Sequence, residues 1–447
     1  MLRSIPLLLL FLILLAAVTT ASVNAADPQV YVLEVDGTVN PPLADYIDRG
    51  IDKAEEDGAI TCIIELDTPG GLLSSTEDIV SRISKATVPI VVYVPRGGWA
   101  ASAGAFITLA ADVAAMGPES VIGASTPIAG GGGELPEDER NKAINLARQW
   151  MKSIAEEHGR NEEAAMAAVT EAASFSPGEA RGVADLSVEN QEILGVERLD
   201  PPLIDDAGAG NVEELIDRLG TGIVLANGEP FSLPPNVSIN YIRMTTIERF
   251  LLAISDPNIA YILLSIAMLG ILIELAHPGL ILPGVVGGVC LLLSIYSLGI
   301  LEANYAGILL MVLAFGLFIA EVFTPTFGLL TSGGVVSLIL GSFVLFSGTP
   351  FGIDPKLIAG VVVFFTAIFV FIVGAIIMAH RRRVTTGREG LVGQTAVAQT
   401  PLAPKGTVFI EGERWNAIAE SGRIEAGEEV IVIEVEGLKL KVVRKSK

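Results

Sequence analysis

The chain has 447 residues, enough for two or three domains at about 150 residues each. Hydrophobic residues make up 51%, and the charged residues, 18%, lie mostly outside a stretch at roughly 256–380, which excludes a wholly soluble protein. The net charge of −22 runs against the basic face that nucleic-acid binding needs, so no nucleic-acid partner is expected.

The first 25 residues read as a signal peptide. Arg3 gives a positive start, Pro6 to Val18 an apolar core, and Val23-Asn24-Ala25 small residues at the cleavage positions. An uncleaved anchor helix is the alternative. In both cases the residues after Ala26 are expected outside the cytoplasm.

Residues 27–245 alternate between two kinds of segment. Val30–Val35, Ile60–Leu66 and Val88–Val94 are strand-like runs followed by turn residues, while 42–57 and 72–86 carry helical spacing of apolar residues. This β-α-β-α-β order predicts a mostly parallel sheet flanked by helices. Cys62 falls in one of these strands and Cys290 in a membrane run; neither has metal-ligand company, and no disulfide between them is expected.

Between 256 and 380 five membrane spans are expected, at about 258–276, 279–300, 304–322, 328–347 and 357–379. Arg381-Arg382-Arg383 follows the last of them, where the positive-inside rule puts the cytoplasmic face. Glu274, Pro278 and Gly287 recur 47 residues later as Glu321, Pro325 and Gly334, which predicts two helix hairpins packed through small residues. The two glutamates read either as intramembrane functional carboxylates or as residues at the cytoplasmic interface beside the proline turns. Just before the first span, 244–252 reads as an amphipathic connector along the outer interface. Residues 388–447 return to short alternating runs separated by glycines, the pattern of a small all-β barrel.

Chemistry concentrates in the first domain. Ser102 follows a strong strand and opens a helix within Ala100-Ala101-Ser102-Ala103-Gly104, where exposed N–H groups favour a developing oxyanion. It also reads as a plain helix cap. Asp67-Thr68-Pro69-Gly70-Gly71 emerges at the same strand edge of a parallel sheet, either as an active-site loop or as a structural turn. A nucleophilic serine needs a base. The only histidine in this domain, His158, reads as an exposed helix terminus, which gives a Ser-His-Asp triad little support. Lysine is the other base used with serine, and the domain holds four: Lys53, Lys85, Lys142 and Lys152. Each also reads as an ordinary surface lysine, and the burial that a neutral lysine base requires is not visible in sequence.

Together, Asp67-Thr68-Pro69-Gly70-Gly71, Ala101-Ser102-Ala103-Gly104, Gly123-Ala124-Ser125-Thr126-Pro127-Ile128, Lys142, Lys152-Ser153-Ile154-Ala155 and Gly159-Arg160-Asn161 resemble the long-form NfeD family. Its members are membrane-bound, ClpP-class serine proteases with a Ser-Lys dyad, and the resemblance covers nearly the whole chain. It implies an α/β ClpP/crotonase-like spiral domain at 27–245, a helical transmembrane block at 256–380 and an OB-fold domain at 388–447, which Trp415-Asn416-Ala417 and Gly427 also resemble. It implies Ser102 as nucleophile and Lys142 as base. The N–H groups of Gly71 and Ala103 would form the oxyanion hole, with Gly70 and Ala101 beside the substrate.

The implied activity is cleavage of hydrophobic segments of a stomatin-like membrane protein, by a homodimer paired through the protease domain, without metal or cofactor. Membrane lipid is the expected surrounding, with the protease domain outside and the barrel in the cytoplasm. Two rivals remain: a non-catalytic scaffold working with stomatin-like proteins, and a crotonase-type acyl-CoA enzyme, which the signal peptide opposes.

Overall fold

Strand β1 (Gln29–Asp36), helix α1 (Pro41–Glu56), β2 (Thr61–Asp67), α2 (Leu73–Ser84) and β3 (Ile90–Val94) follow one another within a residue or two of the expected limits. They belong to a computed structural model that describes residues 28–127, 136–301, 303–324, 326–347, 352–381 and 388–445. The expected leader, the glycine run at 130–133, Arg382 and Arg383 lie outside the described residues.

After β3 come β4 (Trp99–Ala101), α3 (Ala103–Leu109), β5 (Val113–Met116), β6 (Val121–Gly123), α4 (Glu137–Glu157) and α5 (Glu162–Thr170). The domain continues through β7 (Ser174–Phe175), α6 (Pro177–Ala180), α7 (Val188–Leu194), β8 (Asp206–Ala207) and α8 (Val212–Thr221). The short strands β9 (Ile223–Val224) and β10 (Pro230–Phe231) and then β11 (Ser238–Ile242) complete it.

Six strands form one sheet in the order β11-β1-β2-β3-β5-β8, with every neighbouring pair parallel. Both faces are covered, which explains the near-continuous apolar runs. On one face Leu33, Ile64, Val92 and Ala114 pack with α1, α2 and α3; on the other Val32, Ile63, Val91 and Val113 pack with Leu215 and Leu219 of α8. A second sheet, β4-β6-β7, stands apart from the first and carries the segment leading into α3. Cys62 is buried in β2 with its thiol pushed up to about 12 by burial, and both cysteines are free.

A connecting helix, α9 (Thr246–Ile254), leads into α10 (Pro257–Ala276), α11 (Leu282–Ile300), α12 (Tyr305–Phe323), α13 (Leu329–Leu345) and α14 (Pro355–Arg381). These five apolar helices fall where five spans were expected. By length and composition α10, α11 and α12 suffice to cross a bilayer, while α13 is shorter, at 17 residues, and α14 carries an apolar stretch over Pro355–Phe371. The 47-residue repeat is a pair of hairpins. Glu274 accepts from the Gly279 N–H at 3.2 Å, and Glu321 from the N–H groups of Thr326 and Gly328 at 2.9 and 3.0 Å. Each carboxylate thus closes the turn after its own helix. Between α10 and α11 a Cβ on Gly270 would lie 2.8 Å from the Gly287 Cα, so only small residues allow this approach.

The last segment forms a closed barrel of β12 (Thr395–Ala398), β13 (Lys405–Ile410), β14 (Glu413–Ala419), β15 (Glu429–Glu436) and β16 (Lys439–Arg444). Its order is β12-β13-β14-β16-β15, with β14 and β16 parallel and the other pairs antiparallel. This is the OB-fold arrangement. Its alternate residues, among them Val408, Ala417, Val430 and Leu440, fill the interior.

Candidate active site

Ser102 occupies the N-cap position of α3 at φ 52° and ψ −113°, outside the ordinary regions for a residue with a side chain. Its hydroxyl makes no capping hydrogen bond, which removes the plain-cap reading. The backbone is nonetheless fixed. The Ser102 N–H donates to Gly123 O at 3.0 Å, and the buried Ser125 hydroxyl lies 3.3 Å from the Ser102 carbonyl and 3.2 Å from that of Gly123. Strain held by surrounding hydrogen bonds is characteristic of functional positions.

The turn after β2 lies directly against this serine. Asp67 accepts from the Trp99 N–H at 2.8 Å, the Thr68 N–H donates to Trp99 O at 2.7 Å, and the Ala101 N–H donates to Thr68 O at 3.1 Å. On the other side the Val39 N–H donates to Gly70 O at 2.9 Å and the Leu72 N–H to Val39 O at 2.9 Å. Glycine is required here. Gly70 has φ +120°, and a Cβ on it would stand 2.7 Å from the Ser102 Cβ; a Cβ on Gly71 would stand 2.1 Å from Val39 O. Among the described residues, the N–H groups of Gly71 and Ala103 donate to no protein acceptor. Two free donors therefore sit on the segments that flank the serine.

Ala101 lines a shallow apolar pocket of about 220 Å³ with Trp99, Val121, Gly123, Ala124 and Ser174. Trp99, 56% exposed, forms one wall of this pocket. A larger cleft of about 400 Å³ is lined by Arg148, Glu163, Met166, Thr170, Ile193 and Leu194, and Ser102 does not line it.

Lys142 lies in the second turn of α4, on its exposed N-terminal half. The helix is anchored further on, where Trp150 stacks on Phe106 of α3 with centroids 4.6 Å apart, and Ala147, Met151, Ile154 and Ala155 are buried. Among the described residues Lys142 has no hydrogen bond to Ser102. The domain's other lysines are engaged: Lys53 with Asp57 at 2.9 Å, Lys85 with Ser81 at 2.8 Å and Lys152 with Glu162 at 3.3 Å. His158 is the C-cap residue of α4, about 24 Å along the helix from Lys142 at 1.5 Å per residue. It is half-buried rather than exposed, and burial, then the neighbouring Arg160, lower its pKa below the usual histidine value.

Thr68 and Arg160, which the sequence motifs contained without assigning them a role, and Asp205, which they did not contain, hold the site's frame. The Thr68 hydroxyl lies 3.1 Å from both the N–H and the carbonyl of Gly70. Arg160 is fully buried, pairs with Asp205 at 2.6 Å and donates to the carbonyls of Leu109 and Ala111 at the end of α3. Asp205 in turn accepts from the N–H groups of Ala114 and Ala226. Gly159-Arg160-Asn161 carried the resemblance, but nothing in its spacing pointed to the buried partner Asp205.

A parallel-sheet α/β domain, a block of apolar helices and an OB-fold barrel in one chain follow the architecture of the NfeD membrane proteins, and the chain belongs to that family. Residues 29–207 match the NfeD1b N-terminal domain, 258–378 the NfeD integral membrane domain and 388–444 the NfeD-like C-terminal, partner-binding domain. The chain is 34% identical to the membrane-bound protease PH1510 of Pyrococcus horikoshii, over 98% of each chain. It is 29% identical to the membrane protein NfeD1b of Bacillus subtilis, over 94% of this chain and 93% of that one. Among solved structures, the 1510-N membrane protease specific for a stomatin homolog from Pyrococcus horikoshii is 30% identical with a TM-score of 0.39, covering 52% of this chain and 100% of that one.

Proposed function

We propose that this chain is a membrane-bound serine endopeptidase in which Ser102 is the nucleophile and Lys142 its general base. The observation that carries the reading is the uncapped, left-handed Ser102 held against Gly70. In the mechanism Lys142, as the free amine, takes the Ser102 hydroxyl proton while Oγ attacks the peptide carbonyl. The oxyanion is received by the N–H groups of Gly71 and Ala103, each contributing on the order of 3 kcal/mol to lowering the barrier. Lys142 returns the proton to the leaving amine, and water then releases the acyl group from Ser102.

Lys142 is exposed in the single chain, so the reading requires a substrate strand or a second copy to cover it, in keeping with a homodimer through this domain. An apolar substrate segment is supported by the pocket beside Ala101, and a stomatin-like protein as its source by the relative described as specific for a stomatin homolog. The proposed location is the cell membrane, with the protease domain outside and the barrel, matching a partner-binding domain, inside.

The test is cleavage of an apolar peptide by the full chain and by Ser102→Ala, Lys142→Ala and the double variant. Each single substitution abolishes cleavage, and the double variant loses little more, because the two groups act as a unit. Cleavage by Lys142→Ala sinks the dyad. A second reading, a non-catalytic scaffold with stomatin-like proteins, is favoured by the exposure of Lys142. Failure of the wild-type chain to take up a serine-directed fluorophosphonate in membranes would decide for it.

A further inference from the structure

Helix α9 joins the α/β domain to the first membrane helix, and it is claimed from one side only. Both carboxylate oxygens of Glu248 accept from Arg49 of α1, at 2.6 and 2.9 Å. Arg49 also donates to Arg243 O at 3.2 Å, and the Tyr46 hydroxyl donates to Ile242 O at 2.7 Å. Met244 and Leu252 pack on the domain core. The helix start is closed by a reciprocal box in which Thr245 and Glu248 each accept from the other's N–H. At its far end Ile254 O accepts from the Ser297 hydroxyl of α11.

The other side of α9 is apolar and bare. Ile247 is 71% exposed and Phe250 48%, one turn apart on one stripe that passes through the half-buried Leu251 and ends at Ile254, which is buried. Arg243, just ahead of α9, and Arg249, between Ile247 and Phe250, are both exposed. Asp256 caps α10, whose first residue, Pro257, adjoins the stretch matching an integral membrane domain. The exposed residues of the stripe therefore lie within about three turns of a segment that matches an integral membrane domain.

We propose that the Ile247–Phe250 face of α9 rests in the headgroup region of the bilayer, with Arg243 and Arg249 toward lipid phosphates. The Arg49–Glu248 pair then makes α9 a bracket that sets the height and tilt of the Ser102 groove above the membrane. The consequence for cleavage rests on the protease reading; the lipid contact does not. Such a bracket favours substrate segments emerging from the same bilayer over peptides free in solution.

The test uses the full chain in lipid nanodiscs, with Cys62→Ala and Cys290→Ala as background. Nitroxide labels are placed at Ile247→Cys, at Phe250→Cys and, as an exposed control, at Glu213→Cys on α8. Labels at 247 and 250 should be relaxed by oxygen several-fold more than by an aqueous nickel chelate, and the label at 213 the reverse. Chelate access at 250 equal to that at 213, or shielding of 250 from both reagents by a protein partner, overturns the proposal. In a second arm, Glu248→Gln should cleave a soluble peptide at the wild-type rate and lose cleavage of the same peptide anchored in vesicles. Equal losses on both substrates overturn the bracket. A wild-type chain that cleaves neither substrate counts against the protease reading alone, because the label readout needs no turnover.

Discussion

Replacing Gly70 by alanine tests whether the turn after β2 serves the Ser102 hydroxyl. The new Cβ would stand 2.7 Å from the Ser102 Cβ and 3.1 Å from its Oγ. The turn has no room to swing aside, because Gly70 O accepts from Val39 N–H at 2.9 Å and its N–H lies 3.1 Å from the Thr68 hydroxyl oxygen. Two effects follow. The backbone at φ +120° is strained for any L residue, at about 1–3 kcal/mol of stability. The overlap also displaces either Ser102 or the neighbouring Gly71 N–H, and loss of one oxyanion donor costs about 100- to 1000-fold in kcat. Gly195→Ala is the control, since Gly195 has φ +70° with nothing within 4 Å of its Cβ position. The expected result is a lowered thermal midpoint in both variants and loss of fluorophosphonate labelling and peptide cleavage in Gly70→Ala alone. A Gly70→Ala protein that labels and cleaves like the wild type would refute the reasoning, because the turn would then not bear on the serine.

Arg160→Met leaves Asp205 buried without its cation, and such broken pairs cost about 3–5 kcal/mol; a thermal midpoint close to wild type would contradict this. His158, with its pKa lowered by burial and by Arg160, stays neutral on folding, whereas the unfolded chain takes up a proton near pH 6.5. Stability from this group is thus present above about pH 6.5 and lost as pH falls toward the folded value, at no more than about 1.4 kcal/mol per pH unit. The midpoint of His158→Gln should therefore fall less between pH 7 and pH 5.5 than that of the wild type. For topology, cysteines at the exposed Ser74 and Ser421 should react with an impermeant thiol reagent from opposite sides of the membrane, in a background lacking Cys62 and Cys290; labelling of both from the same side of intact cells contradicts five crossings.

The order of elements was legible over residues 29–94 and in the five apolar helices from 257 onward, because its signals there are local. Apolar runs of period 2, helical stripes and stretches near 20 residues without charge each record what one segment must bury, whatever the others do. Gly70-Gly71 and Ser102 stood out for the same reason, since a glycine pair and a serine among alanines after a strand are short-range patterns. The tertiary structure alone decided what those residues face. Gly70 and Ser102 are 32 positions apart, and only the stitching of Asp67 and Thr68 to Trp99 and Ala101 sets one against the other and turns Ser102 left-handed without a cap. Arg160 and Asp205 meet across 45 positions in a buried pair that no spacing suggests. The exposure of Lys142 follows from where α4 gains its anchor, at Trp150 on Phe106, with no fully buried residue among the turns that precede Ala147. Burial, and with it the charge state of a base, is set by neighbours that the chain brings together only on folding.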